Sequence, residues 1–224
     1  MPDVLALIPA YDEEEHIGAV VRGALVHLPV CVVDDGSTDR TAVLARDAGA
    51  TVLRQVANQG KGAALRAGFR YAVDKGYDAV LTLDGDEQHD PADIPTFLEA
   101  YRESDADLTI GARAFSEMPL ARRLANTLGR WLLSWAVGQP IRDNQSGYRM
   151  ISRRLIESLL SGAESGFEFE IEMIVTCIGA GFTPRWVPIR TIYGGERSHI
   201  RPVRHVANFL RMSLQARRMM RKKP

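Results

Sequence analysis

Short apolar runs that alternate with helix-patterned segments constrain this chain more than any other feature. Val4–Ile8, Val30–Val33, Thr51–Leu53, Ala79–Leu83 and Asp107–Gly111 are three to five residues long, the length of strands and too short for helices. Helical patterns fill the gaps: about Glu13–His27, a second up to Ala48, Ala63–Lys75, and a fourth opened by Asp90-Pro91. In the last, Asp90 stands as N-cap and proline takes the first helical position. The first carries three glutamates in its opening turn, as the helix dipole favours. A β-α-β-α-β-α-β-α-β order predicts an α/β fold, a mostly parallel central sheet with helices on both faces. With 224 residues, 46% of them hydrophobic, one domain has ample core.

Loops leaving the C-terminal ends of parallel strands converge on one edge, where such folds bind ligands. Here those loops are Pro9–Glu13, Asp34–Asp39, Asn58–Lys61 and Asp84–Gln88. Asp84 and Asp86 are spaced i, i+2, which puts both on one side of the chain unless the exit turn rotates one. With the Gln88 amide oxygen they are hard ligands, suited to Mg²⁺ or Mn²⁺ bridging to a substrate phosphate. The other reading is an acidic turn favoured by the following helix's dipole. Asp35 either accepts from a base edge or ribose hydroxyl or caps a helix, and Lys61 can reach a phosphate. Gly60-Lys61 does not complete G-x-x-x-x-G-K-S/T, because position 55 is Gln and position 62 is Gly. Nor does G-x-G-x-x-G follow the first strand. No Cys/His cluster suggests zinc.

After Gly111 the pattern changes. Arg113, Arg122, Arg123 and Arg130 punctuate a helical stretch whose apolar part is Trp131–Val137, either an ordinary packed helix or a membrane-interface surface. Asp143–Arg149 is a polar turn into a strand. Helices near Arg153–Leu160 and Phe167–Gly179 follow, then a proline-interrupted strand at Phe182–Ile189, expected at a sheet edge. The last helix runs from Pro202 towards Met220. From Arg197 onward there are nine Arg or Lys and no Asp or Glu, so residues 1–196 hold 19 basic against 28 acidic residues. Residues 197–224 are therefore expected to form a basic amphipathic helix beside the α/β domain at 1–196. Val203, Val206, Ala207, Leu210 and Leu214 would be its apolar stripe, packed on the sheet or laid on an anionic leaflet. Cys31 and Cys177 are expected as buried thiols in a reducing compartment. The N-terminus lacks a leader pattern, and no apolar run nears the ~18 residues that span a bilayer.

Five blocks stand in order over about residues 4–150: Ile8-Pro9-Ala10-Tyr11-Asp12-Glu13-Glu14, Val33-Asp34-Asp35-Gly36-Ser37-Thr38-Asp39, Asn58-Gln59-Gly60-Lys61-Gly62, Leu83-Asp84-Gly85-Asp86-Glu87-Gln88-His89, and Asp143 to Arg149. In them the chain resembles the family 2 inverting glycosyltransferases of GT-A fold, and within these the dolichyl- or polyprenyl-phosphate sugar synthases. The resemblance implies that Pro9, Ala10, Tyr11, Glu13 and Asp35 meet the nucleoside of a sugar nucleotide. It puts Lys61, Asp84, Gly85, Asp86 and Gln88 at the diphosphate and metal, and Arg113 and Arg123 at a lipid phosphate. Where many relatives have Ser-Lys, this chain has Glu196-Arg197-Ser198-His199, so the cationic contact there falls to Arg197, His199 or both. Also implied are Mg²⁺ or Mn²⁺, a GDP-mannose or UDP-glucose type donor, and a polyprenyl- or dolichyl-phosphate acceptor. An anionic membrane surface is the expected partner, nucleic acid is not, and the expected place is peripheral, at the cytoplasmic face of the membrane.

A phosphate acceptor is mostly ionised near neutrality and needs guiding by arginines more than deprotonation. A hydroxyl acceptor would need a carboxylate base, Asp86 or Asp143. A glycosyltransferase acting on such a hydroxyl is the first alternative. A sugar nucleotidyltransferase would want a glycine- and arginine-rich loop after strand one, which Pro9–Glu13 does not supply. A binding module without activity would not need Asp84, Asp86 and Gln88 intact.

Overall fold

The computed structural model describes residues 2–104, 106–113, 120–161, 169–190 and 202–221, with backbone alone at 120–125, 202–210 and 221. Its strands are β1 (Val4–Ala10), β2 (Val30–Asp34), β3 (Thr51–Arg54), β4 (Ala79–Thr82), β5 (Leu108–Arg113), β6 (Arg149–Ser152) and β7 (Pro184–Ile189). They form one seven-stranded sheet in the order β3-β2-β1-β4-β6-β5-β7. β1 to β4 pair in parallel, as do β5 and β7. β1 shows why its run is apolar at every position. Leu5 and Leu7 face one core layer with Phe69 of α3 (Lys61–Asp74), Leu155 of α6 (Arg153–Ser161) and Ile174 of α7 (Phe169–Gly179). Ala6 and Ile8 face the other with Val20 of α1 (Ile17–Leu25) and Phe97 of α4 (Ile94–Glu103). A strand covered on both faces has no side to give to water. Packing is close: a Cβ on Gly68 of α3 would come within 2.3 Å of a Leu7 methyl carbon.

Three expectations are corrected or extended. The helix expected from Glu13 begins at Ile17 and has no acidic residue in its first turn. Asp12 takes a left-handed φ of 53°, and the N–H groups of Asp12, Glu13 and Glu14 donate to Ser37 Oγ, Thr41 Oγ1 and Asp39 Oδ2. The loop between β2 and α2 (Thr41–Asp47) thus takes donors that a helix would leave unpaired. Second, β6 runs antiparallel between β4 and β5, which the β-α alternation does not announce. Third, Leu214 is not on the buried face of α8 (Pro202–Arg221): it is 51% exposed, while Met212 and Ala216 are buried. α8 turns this row towards α5 (Leu120–Val137), whose Leu133 and Ala136 share the same core layer.

The expectations for Asp90, for the last strand and for the burial of the two cysteines hold. Asp90 caps the 3-10 turn Pro91–Asp93 that leads into α4, accepting from the Ala92 N–H at 2.9 Å. The proline-bearing β7 is an edge strand, where a missing ladder donor is tolerated. Cys31 and Cys177 are buried free thiols, and burial pushes both up to about 12. Among the described residues no helix is long and apolar enough to cross a membrane.

Candidate active site

The outgoing ends of β1, β2, β4 and β5 lie at one edge of the sheet. Because β6 is antiparallel, its incoming loop, Asp143–Tyr148, arrives at that same edge. The edge therefore collects chemistry from both halves of the chain.

The first half builds a cavity of ≈ 280 Å³. Of the residues expected at a nucleotide sugar, Pro9, Ala10, Tyr11, Glu13, Asp35, Lys61, Asp84 and Gly85 line it, together with Asp86, Asn58 and Gly60. Asp35 is buried and is not a helix cap. Its two oxygens accept from the N–H groups of Gln59 (2.9 Å) and Gly60 (2.8 Å), while its own N–H donates to Ala10 O at 2.8 Å. One residue, through its carboxylate and its own N–H, thus ties the three loops of the wall together. Gly36 makes this possible, having φ +77° and so little room that a Cβ would sit 2.6 Å from the Ala57 carbonyl carbon.

At the floor, Lys61 Nζ lies 2.6 Å from Asp84 Oδ1 and 3.0 Å from Glu170 Oε1. Burial alone would lower the lysine's pKa, but Asp84 and Glu170 outweigh it and hold the value above the usual range. Burial would likewise raise Asp84, and Lys61 reverses that, keeping the carboxyl below the usual range. The Asp84 N–H donates to His89 Nδ1 at 3.0 Å, which makes that ring nitrogen an acceptor and the imidazole neutral. Burial lowers the His89 pKa in the same sense, so its 3.6 Å approach to Asp84 Oδ2 is a contact and not an ion pair. Gly147 closes the floor: a Cβ there would meet Asp84 Oδ2 at 2.9 Å and Lys61 Nζ at 3.0 Å.

The second half contributes charge. Arg113 grips Asp143 with two bonds, Nε to Oδ2 at 2.9 Å and Nη2 to Oδ1 at 3.1 Å. Asp143 Oδ1 also accepts from the N–H groups of Gln145 and Ser146. Burial would raise the Asp143 carboxyl, but the Arg113 bonds and the two N–H groups hold it below the usual range. Arg149 is fully buried and spends its donors on the main-chain oxygens of Ser146, Asn144 and Glu170. Burial brings it down to about 10. It fixes both the incoming loop of β6 and the start of α7.

Asp84 and Asp86 border one cleft, as their spacing suggests, but Gln88 is not in its lining; its N–H donates to Asp86 Oδ1 at 3.1 Å. No group of three or more His, Cys, Asp or Glu among the described residues forms a closed cage. Two carboxylates on an open cleft instead fit an ion that keeps waters and completes its shell with substrate oxygens, as Mg²⁺ does. The side chain of Arg123, and Arg197 and His199 entirely, lie outside the described residues. Sequence reasoning missed Glu170. Its neighbour Glu172 pairs with Arg66 inside the core at 2.6 Å. Residues two apart on a helix face opposite ways, so one glutamate serves the core and the other the cleft; only the alternation Glu168, Glu170, Glu172 hints at this.

The profile of Glycosyl transferase family 2 matches residues 6–160. The chain is 33% identical over 205 residues to a polyprenol monophosphomannose synthase of Mycolicibacterium smegmatis, covering 83% of this chain and 76% of that protein. It is 33% identical over 188 residues to an undecaprenyl-phosphate mannosyltransferase of Micrococcus luteus, covering 76% and 75%. Among solved structures, glucosyl-3-phosphoglycerate synthase of Mycobacterium tuberculosis, in complex with Mn²⁺, UDP and glucosyl-3-phosphoglycerate, aligns with a TM-score of 0.74 at 20% identity. That alignment covers 100% of this chain and 81% of that one, and the shared fold is GT-A.

Proposed function

The chain belongs to glycosyl transferase family 2 and is a glycosyltransferase; from that premise we propose that it moves a hexose from a nucleoside-diphosphate sugar, of GDP-mannose or UDP-glucose type, to a polyprenyl-type phosphate. The observation that carries this is the meeting at Gly147 of two unlike charge sets, the Asp84–Lys61 floor and the loop that anchors Arg113.

The nucleoside lies along Pro9–Glu13 and Asp35, and the diphosphate points at Lys61. Cleaving a glycosyl–phosphate bond builds an oxocarbenium-like centre and a leaving diphosphate. Lys61 supplies positive charge on the leaving side, in a cleft where such charge counts for more than in water. Mg²⁺ or Mn²⁺, held by Asp84 and Asp86, would stabilise the departing diphosphate as a Lewis acid. On the acceptor side the phosphate needs direction and no base. Asp143 fixes the Arg113 guanidinium plane and leaves it further N–H donors for an anion. With its oxygens filled and its pKa depressed, Asp143 is a positioning residue. Arg123 joins Arg113 at the acceptor, and Arg197 and His199 remain assigned to the donor by resemblance.

Residues 197–224, with α5, supply the surface that meets lipid. Trp131 is 68% and Trp135 45% exposed. Beside them Arg217 stacks over the Trp135 ring at 4.3 Å, and Arg211, Leu214 and Arg218 face solvent. Aromatic and cationic side chains on adjoining helices suit an anionic lipid–water boundary, which would hold the enzyme peripherally at the cytoplasmic leaflet. The test is a donor screen against a polyprenyl phosphate with Mn²⁺ or Mg²⁺, following lipid-linked sugar. Metal-dependent product from one donor is expected; transfer only to water-soluble hydroxyl acceptors would overturn the lipid-phosphate assignment.

A further inference from the structure

Lys61 is shared between two carboxylates, and Glu170 has no part in the mechanism above. All three main chains are held, Lys61 as the first residue of α3, so what can move is the longest side chain. The Asp84 main chain is bonded to His89, the Glu170 main-chain oxygen takes a bond from buried Arg149, and Gly147 fills the space beneath Asp84. Lys61 reaches them on a flexible four-carbon stem. Its Nζ is 2.6 Å from Asp84 Oδ1. A divalent ion on that carboxylate would sit about 2.1 Å from an oxygen, within a few ångströms of the ammonium, two like charges that a half-exposed cleft screens only in part. Both cannot hold the same carboxylate edge at full strength.

We infer that Lys61 and the divalent ion exchange on Asp84, and that Glu170 is the positioning residue that receives Lys61 when the ion enters. This rests on the proposed metal role of Asp84. Glu170 Oε1 already lies 3.0 Å from Nζ, so Lys61 gives up one carboxylate without losing its charge partner. It stays on the cleft wall, where a diphosphate would meet it. In the donor-free protein Lys61 thus guards the metal site against ions that arrive without a diphosphate to take up the displaced cation.

The test measures Mn²⁺ binding to the full chain, by the electron paramagnetic resonance of free Mn²⁺, alone and with UDP or GDP. Lys61→Met should bind Mn²⁺ alone about tenfold more tightly than the parent and gain less from the nucleoside diphosphate. Glu170→Gln should bind Mn²⁺ alone about tenfold more weakly, and that loss should vanish in the Lys61→Met background. If Lys61→Met binds Mn²⁺ no more tightly, or Glu170→Gln only lowers the thermal midpoint, the exchange is overturned while the metal role of Asp84 stands. If neither the parent nor Lys61→Met binds Mn²⁺ with or without nucleoside diphosphate, both fall.

Discussion

The two halves of the site edge are held by different physics. In the first half, from β1 to β4, loops lock to one another through carboxylate-to-backbone bonds, Asp35 on Gln59 and Gly60, and Asp12 and Asp39 on the facing turns. In the second, the loop into β6 is held by buried charge, Arg149 on main-chain oxygens and Asp143 on Arg113. Loops laced together by carboxylate-to-backbone bonds shape a pocket for a large polar ligand. A buried ion pair fixes the direction of one cation. On the proposed function, donor handling falls to the first half and acceptor handling to the second, a division that variants can break.

The largest effect is expected on the first side. Asp86→Asn should lower turnover on the order of 10²- to 10³-fold with saturating Mn²⁺ and leave the thermal midpoint in place; near-parental turnover would remove Asp86 from the metal site. On the second side, Asp143→Asn breaks a pair that is buried at Asp143 and partly screened at Arg113. It should cost about 2–3 kcal/mol in urea unfolding and reduce turnover about tenfold to a hundredfold.

Acid sharpens the contrast. The folded Asp143 carboxyl is held below its usual range, so its contribution is full above the unfolded value of about 3.9 and is lost as pH falls through the lower folded value. The parent should lose stability on acidification below about pH 4, and Asp143→Asn should lose less over that window. An equal loss in both would mean the carboxylate is not the source.

Gly147→Ala acts where the halves meet. A methyl group pressed on Asp84 and Lys61 should cost about 1–2 kcal/mol and reduce turnover more than it changes either substrate's KM. The smallest effect belongs to the face proposed to meet lipid. Arg218→Gln should weaken binding to anionic vesicles roughly fivefold at low salt, a difference that high salt erases. Salt-insensitive binding by both proteins would leave α8 without an electrostatic role.

These halves also differ in how far the sequence reveals them. Apolar runs with polar exits mark β1 to β5, and the proline-bearing β7 reads as an edge because a proline lacks a ladder donor. β6 is legible as a strand but not as an antiparallel one, since period and apolarity carry no direction. Without that direction nothing says that Gly147 arrives under Asp84. Glu13 to Glu15 read as a helix start because the tertiary partners of Glu13 and Glu14, Thr41 and Asp39, are remote in sequence. Leu214 reads as buried because more than one apolar stripe can be drawn along α8, and packing on α5 selects the one through Met212 and Ala216. Glu170 stands between Glu168 and Glu172 near a helix start, and nothing in that spacing names Lys61 as its partner.

Two-substrate kinetics on Asp35→Ala and Arg113→Ala tests the division most directly. Asp35→Ala should raise the donor KM at least about tenfold, with a smaller fall in kcat and no change in the acceptor KM, as loss of uniform binding predicts. Arg113→Ala should do the reverse, raising the polyprenyl-phosphate KM and sparing the donor's. If both variants raise the same substrate's KM, donor and acceptor are not divided between the two halves of the edge.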